Sequence, residues 1–139
     1  MQGTIVLLHG RRGRKEDMLV VAERFVAAGF RCVLLDLPAH GDSPLMHNNF
    51  GSSLFEQQLP QRALQDLRQH FQLPEEPAIL WGLSMGGAFA ISAMKNTPDY
   101  WSAIIITSSF TSLPEVLENL TSQYFPNQAM PYHNGYCLF

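Results

Sequence analysis

Ala78-Ile79-Leu80-Trp81-Gly82-Leu83-Ser84-Met85-Gly86-Gly87-Ala88-Phe89-Ala90 decides the fold. Its first four residues are a short apolar run, which fits a strand buried on both faces. From Gly86 to Lys95 the chain is apolar nearly all round, which predicts a buried helix, and Pro98 ends it. Between strand and helix stands Gly-x-Ser-x-Gly. So sharp a turn forces a strained backbone on its central residue and leaves no space for a Cβ at the flanking positions. It also holds the Ser84 hydroxyl clear of the sheet and aims the N-terminus of the following helix at it. Unpaired N–H groups and positive partial charge there favour a developing oxyanion. Ser84 is therefore the candidate nucleophile. The competing reading is a glycine-rich turn with an idle serine. The bare pattern is common, but the strand-turn-helix context is not.

Working outward, the same alternation continues. Upstream, Thr4 to Leu8 is an apolar run ending at His9-Gly10, a second buried strand. From Glu16 to Ala28, Met18, Val21, Ala22, Phe25 and Ala28 recur at helical spacing, and Gly29 supplies a left-handed stop. Cys32 to Leu35 is another buried strand, closed by Asp36. The segment from Leu37 to Gly51 is a loop rich in Pro, Gly, His and Asn. Ser53-x-x-Glu56 then has the form of a capping box, and Leu59, Ala63, Leu67 and Phe71 repeat along a helix. Pro60 inside that repeat means either a kink or a helix that starts there. Downstream, Ala103 to Thr107 is the last strand, with three isoleucines in a row, and Pro114 to Leu120 is a short helix. From Thr121 the periodicity dissolves. The domain organisation read from this is a core over residues 1–120 and an irregular tail over 121–139.

Strands alternating with helices give parallel strands joined by right-handed crossovers, a doubly wound α/β sheet. Ligands of such sheets sit beyond the carboxyl ends of the strands. The informative residues there are His9-Gly10, Asp36, Gly82-Leu83-Ser84 and Ser108.

The bulk composition of the 139 residues fits one globular domain, with 46% apolar and 15% charged residues. A net charge of −3 offers no basic stripe of the kind nucleic acid requires, so no such partner is expected. The densest positive run, Arg11, Arg12, Arg14 and Lys15, is followed at once by Glu16 and Asp17; it reads as a solvated loop in preference to a phosphate site. Cys32 reads as a buried core thiol, and with Cys137 far away no disulfide framework is expected. The first residues lack the pattern of a signal peptide, and no apolar run approaches the ~18 residues of a membrane span. These features point to a cytoplasmic protein.

Taken together, His9-Gly10, Asp36-x-Pro38-x-His40-Gly41-x-Ser43 and Gly82-x-Ser84-x-Gly86-Gly87 resemble the α/β-hydrolase superfamily of serine hydrolases over residues 4–120. The resemblance implies Ser84 as nucleophile. It implies the backbone N–H of Met85 as one oxyanion donor and that of Arg11, or else Arg12, as the other. His9 at this turn is implied to be a packed structural residue, and Asp36 and His40 loop-shaping hydrogen-bonders. In that family the acid and the histidine follow later strands. Here only Glu115, Glu118 and His133 follow the last strand, with no apolar strand between them. The chain reads as a C-terminally shortened member, with His133 the remaining candidate base.

The activity so implied is hydrolysis of a small carboxylic ester, thioester or amide through an acyl-serine, without cofactor or metal, and impaired where the base is missing. Two alternatives stay open: a non-catalytic fragment or binding module that keeps the fold, and an acyltransferase. A Rossmann dinucleotide binder is disfavoured, because His9-Gly10-Arg11-Arg12-Gly13 lacks the required glycine spacing. With no further strand beyond Thr107, that sheet edge is expected to drive self-association or marginal stability. The alternative is that Tyr124 to Phe139 folds over it.

Overall fold

The computed structural model describes residues 1–108. Four strands form one parallel sheet: β1 (Thr4–Leu8), β2 (Arg31–Leu35), β3 (Ala78–Leu83) and β4 (Ala103–Thr107), in the order β2-β1-β3-β4. Three helices connect them: α1 (Leu19–Ala27), α2 (Leu54–Phe71) and α3 (Met85–Asn96). The expected doubly wound α/β architecture is the one observed.

β1 shows why the sheet carries a core on each face. All five of its residues are buried. Val6 and Leu8 point into a cluster with Val33, Leu64, Leu80 and Phe89, under α2 and α3. Ile5 and Leu7 point the other way, into a cluster with Met18, Ala22 and Trp81 under α1. This is the period-two alternation of a strand with both faces covered.

The outer strands are less enclosed than β1 and β3; this departs from the expectation for β2, read as a buried strand, while β4 ends the sheet order, the edge position expected for it. β2 is only half-buried, with Val33 alone fully enclosed, and β4 is mostly exposed, Ile105 and Ile106 at 39% and 41%. Among the described residues each pairs with one neighbour only. An apolar run reports what a strand is made of, not its rank in the sheet. Cys32 accordingly is half-buried rather than a core thiol, its Sγ 3.7 Å from the Ala22 carbonyl.

Two helices need smaller corrections. The expected helix over Glu16 to Ala28 begins as a 3-10 turn, Lys15–Met18, before α1 proper. Gly29 does adopt the left-handed conformation, φ +88°. α2 starts at Leu54 behind a complete capping box: Ser53 Oγ accepts from the Glu56 N–H and the Glu56 carboxylate accepts from the Ser53 N–H. Pro60 lies inside the helix, not at its first position. The face it buries is Glu56, Pro60, Leu64 and Arg68, while Phe71 of the expected apolar row is 61% exposed.

Candidate active site

β3 ends at Leu83 and α3 begins at Met85, so Ser84 alone makes the turn. Its backbone stands at φ 51°, ψ −114°, outside the helical and strand wells. Such a conformation costs about 1–3 kcal/mol and persists only where surroundings enforce it. They do so here. The Ser84 N–H donates to the Thr107 carbonyl of β4 at 3.0 Å, and the Ser84 carbonyl accepts from the Gly87 N–H at 2.9 Å.

Close approach of backbone explains the glycines. A Cβ on Gly82 would stand 2.6 Å from the Gly87 nitrogen, and one on Gly86 would lie 2.6 Å from the Leu8 carbonyl carbon. α3 thus starts pressed against β1, and its first N–H groups, those of Met85 and Gly86, have no intrahelical carbonyl to bond.

β1 and β3 are adjacent, with Leu8 opposite Gly82, so the chain leaving β1 passes beside the elbow. A Cβ built on Gly10 would be 3.6 Å from the Ser84 Cβ. The Gly13 N–H donates to the Gly10 carbonyl at 3.1 Å and closes a turn with Arg11 and Arg12 at its centre, Arg12 at φ 62°. β2 lies on one side of β1 and β3 on the other, which makes this the topological switch point of the sheet. The structure therefore brings Ser84, Met85 and the Arg11-Arg12 turn to one place.

His9 is fully buried beneath that turn. Its Nε2 accepts from the Leu37 N–H at 3.0 Å, which leaves Nδ1 as the protonated nitrogen, donating to the Gly10 carbonyl at 2.7 Å. Burial pushes its pKa below the usual imidazole value, with the nearby His40 adding to the effect. Both nitrogens are committed to backbone, as a packed structural residue requires.

Asp36 shapes the neighbouring loop. Its carboxylate accepts from the Lys15 N–H (2.7 Å), the Lys15 ammonium (2.5 Å) and the Asp42 N–H (2.9 Å). Burial raises its pKa, but these partners outweigh burial and hold it down to about 2. The same carboxylate occupies the space a side chain at Gly41 would need, and Gly41 sits at φ +52°. His40 Nδ1 lies 2.8 Å from the Pro38 carbonyl.

Three contributors escaped the sequence reading. Lys15, taken as part of a solvated run, bridges Asp36 and Asp42. Asn48 donates to the Pro38 carbonyl at 2.7 Å, and its amide touches the Met85 sulfur at 3.7 Å, strapping the loop across the start of α3. Glu56, beyond its capping role, accepts from the Asn49 N–H at 2.7 Å. Only the cap carried a sequence signal. Glu115, Glu118, His133, Cys137, the helix from Pro114 and the tail from Thr121 lie outside the described residues. Among the described residues there is no cluster of three His, Cys, Asp or Glu suited to a metal ion, and no helix long and apolar enough to cross a membrane.

Comparison with known proteins adds a family. Residues 1–133 match the hydrolase family described as serine aminopeptidase, S33. The quorum-quenching protein AidA of Acinetobacter baumannii is 28% identical over 108 residues, which is 77% of this chain and 35% of that protein. Among solved structures, the esterase Pf2001 of Pyrococcus furiosus superposes with a TM-score of 0.68 at 19% identity, covering 88% of this chain and 53% of the esterase. The N-acyl homoserine lactone degrading enzyme Est816 gives a TM-score of 0.63 at 20% identity, covering 91% of this chain and 46% of that enzyme. At these identities the solved structures speak for the fold. The chain spans about a third to a half of the length of these relatives.

Proposed function

The chain belongs to the serine aminopeptidase S33 family of α/β hydrolases, and on that premise we propose that Ser84 is the nucleophile of an acyl-transfer site for a small carboxylic ester. The Ser84 Oγ adds to the carbonyl carbon while its proton passes to a base. The carbonyl π electrons move onto oxygen, where the N–H groups of Met85 and of Arg11 (or Arg12) receive the negative charge. Collapse re-forms the carbonyl, expels the alcohol with that proton, and leaves an acyl-serine for water to cleave to the acid. The observation that supports this best is the left-handed Ser84 elbow lying beside the Gly10 turn.

Attack by Ser84 requires a base to take its proton. His9, the histidine buried under the turn, has both nitrogens bonded to backbone and is no base. The remaining candidate from the sequence is His133. We propose that turnover by these 139 residues is impaired: without a base an acyl-serine, once formed from an activated ester, is cleaved slowly. p-Nitrophenyl butyrate tests the pair of statements. Slow release of p-nitrophenolate, close to one equivalent and with little further turnover, is expected, with a butyryl group mapped to Ser84. Sustained turnover abolished by His133→Ala would make His133 the base and remove the impairment. Absence of any butyryl-Ser84 would favour the non-catalytic reading. Acyl transfer to an added alcohol in preference to water would mark an acyltransferase.

A further inference from the structure

The turn that flanks Ser84 carries two cations that make no ion pair with the described residues. Of the four cations between residues 11 and 15, Arg14 is paired with Glu16 at 2.8 Å and Lys15 with Asp36 and Asp42 at 2.5 and 2.7 Å. The remaining acid of that segment, Asp17, accepts from the Arg14 backbone N–H at 2.9 Å. Arg11 and Arg12 are exposed and make no ion pair with the described residues. They are also the two residues at the centre of the Gly10–Gly13 turn, whose first glycine approaches Ser84 to 3.6 Å at the Cβ positions. The segment is thus polarised. Its neutralised half, from Arg14 onward, is anchored on Asp36 and Asp42. Its other half, Arg11 and Arg12, without an ion pair among the described residues, borders the nucleophile.

We infer that Arg11 and Arg12 form a substrate-selecting lip that favours esters bearing a carboxylate or similar anionic group over neutral esters of the same size. The inference rests on the assignment of Ser84 as nucleophile. Two guanidinium groups suit a carboxylate because each presents several N–H donors in a planar fork. Exposed charges act through high dielectric, so the preference is modest. A unit pair at about 4 Å in water changes a rate or binding constant by a factor of about five, and two such groups give roughly ten- to twentyfold. It is also screenable, since the Debye length falls to about 3 Å at 1 M salt.

A matched pair of fluorophosphonates, one with a plain alkyl tail and one with the same tail ending in a carboxylate, tests this on the full chain. The readout is the ratio of second-order labelling rates at Ser84, followed by intact-protein mass spectrometry, so that a general loss of reactivity in a variant cancels. The anionic probe is expected to react about five- to twentyfold faster at low salt. The ratio should fall towards one in about 1 M sodium chloride, and also in the Arg11→Gln/Arg12→Gln double variant at low salt. A ratio near one in the parent chain, or a preference that survives the double substitution, overturns the inference while leaving Ser84 as nucleophile. Labelling by neither probe removes the nucleophile assignment and this inference with it.

Discussion

Gly86→Ala tests the packing that creates the elbow. The new methyl would run into the Leu8 carbonyl oxygen and would lie 2.6 Å from its carbon and 2.8 Å from the His9 oxygen. These are backbone atoms at the end of a strand paired on both sides, so they have nowhere to go. α3 must instead move off β1, carrying Ser84 with it. Overpacking of this kind costs about 1–3 kcal/mol, and backbone contact places Gly86 at or above the top of that range. Alanine's better helix propensity returns up to ~1 kcal/mol. The net loss is about 2 kcal/mol or more, which lowers a urea midpoint by about 1 M at a typical slope of ~2 kcal/mol/M. Trp81 and Trp101 are both buried, so their fluorescence follows the transition. Gly10→Ala is the control. Its methyl meets Leu83 and Ser84 at 3.6 Å, an ordinary contact, and its midpoint is expected within ~0.5 M of the parent's. A Gly86→Ala midpoint and Ser84 labelling rate equal to the parent's would refute the claim that α3 is pinned against β1.

Other expectations follow from individual contacts. Asp36→Asn should destabilise the protein at pH 7, because the native carboxylate, held down to about 2 from its usual 3.8, contributes stability above pH 3.8 that is lost as pH falls towards 2. Melting curves of parent and variant should therefore converge over that window, and a constant separation would contradict the assignment. Ser53→Ala should cost about 1 kcal/mol through loss of the α2 cap, read as a shift in urea midpoint; a change below ~0.3 kcal/mol would count against it. Among the described residues the outer edge of β4 has no neighbouring strand, and with Ile105 and Ile106 about two-fifths exposed it is expected to pair with a second copy of the chain. Light scattering should show dimers or larger species that Ile105→Lys reduces, and a clean monomer would dismiss the pairing.

What the sequence revealed, and what it hid, divides along physical lines. β1, β3 and the elbow were legible because a doubly covered strand must be apolar throughout and because backbone contact at positions 82 and 86 admits only glycine. The rank of β2 was not, since its run is as apolar as those of the central strands and only the sheet order sets burial. The buried face of α2 was misread for a different reason. Glu56 and Arg68 are charged yet enclosed, Glu56 by the Asn49 and Ser53 N–H groups and Arg68 by the Glu76 carbonyl at 2.6 Å. Hydrophobic periodicity counts such residues as outward. Lys15 and Asn48 act through partners 21 or more residues away, Asp36 and Met85, and pairings at that distance have no local signature. Ser84, Met85 and Arg11 could be proposed from the sequence because the family pattern is itself a record of backbone geometry.

The central claim is that Ser84 is a reactive nucleophile, and labelling with an alkyl fluorophosphonate followed by peptide mapping tests it most directly. The account predicts a single phosphonylated peptide carrying the modification on Ser84, and no labelling of the Ser84→Ala variant. Failure of the folded chain to react, or modification at another residue that persists in Ser84→Ala, would contradict it.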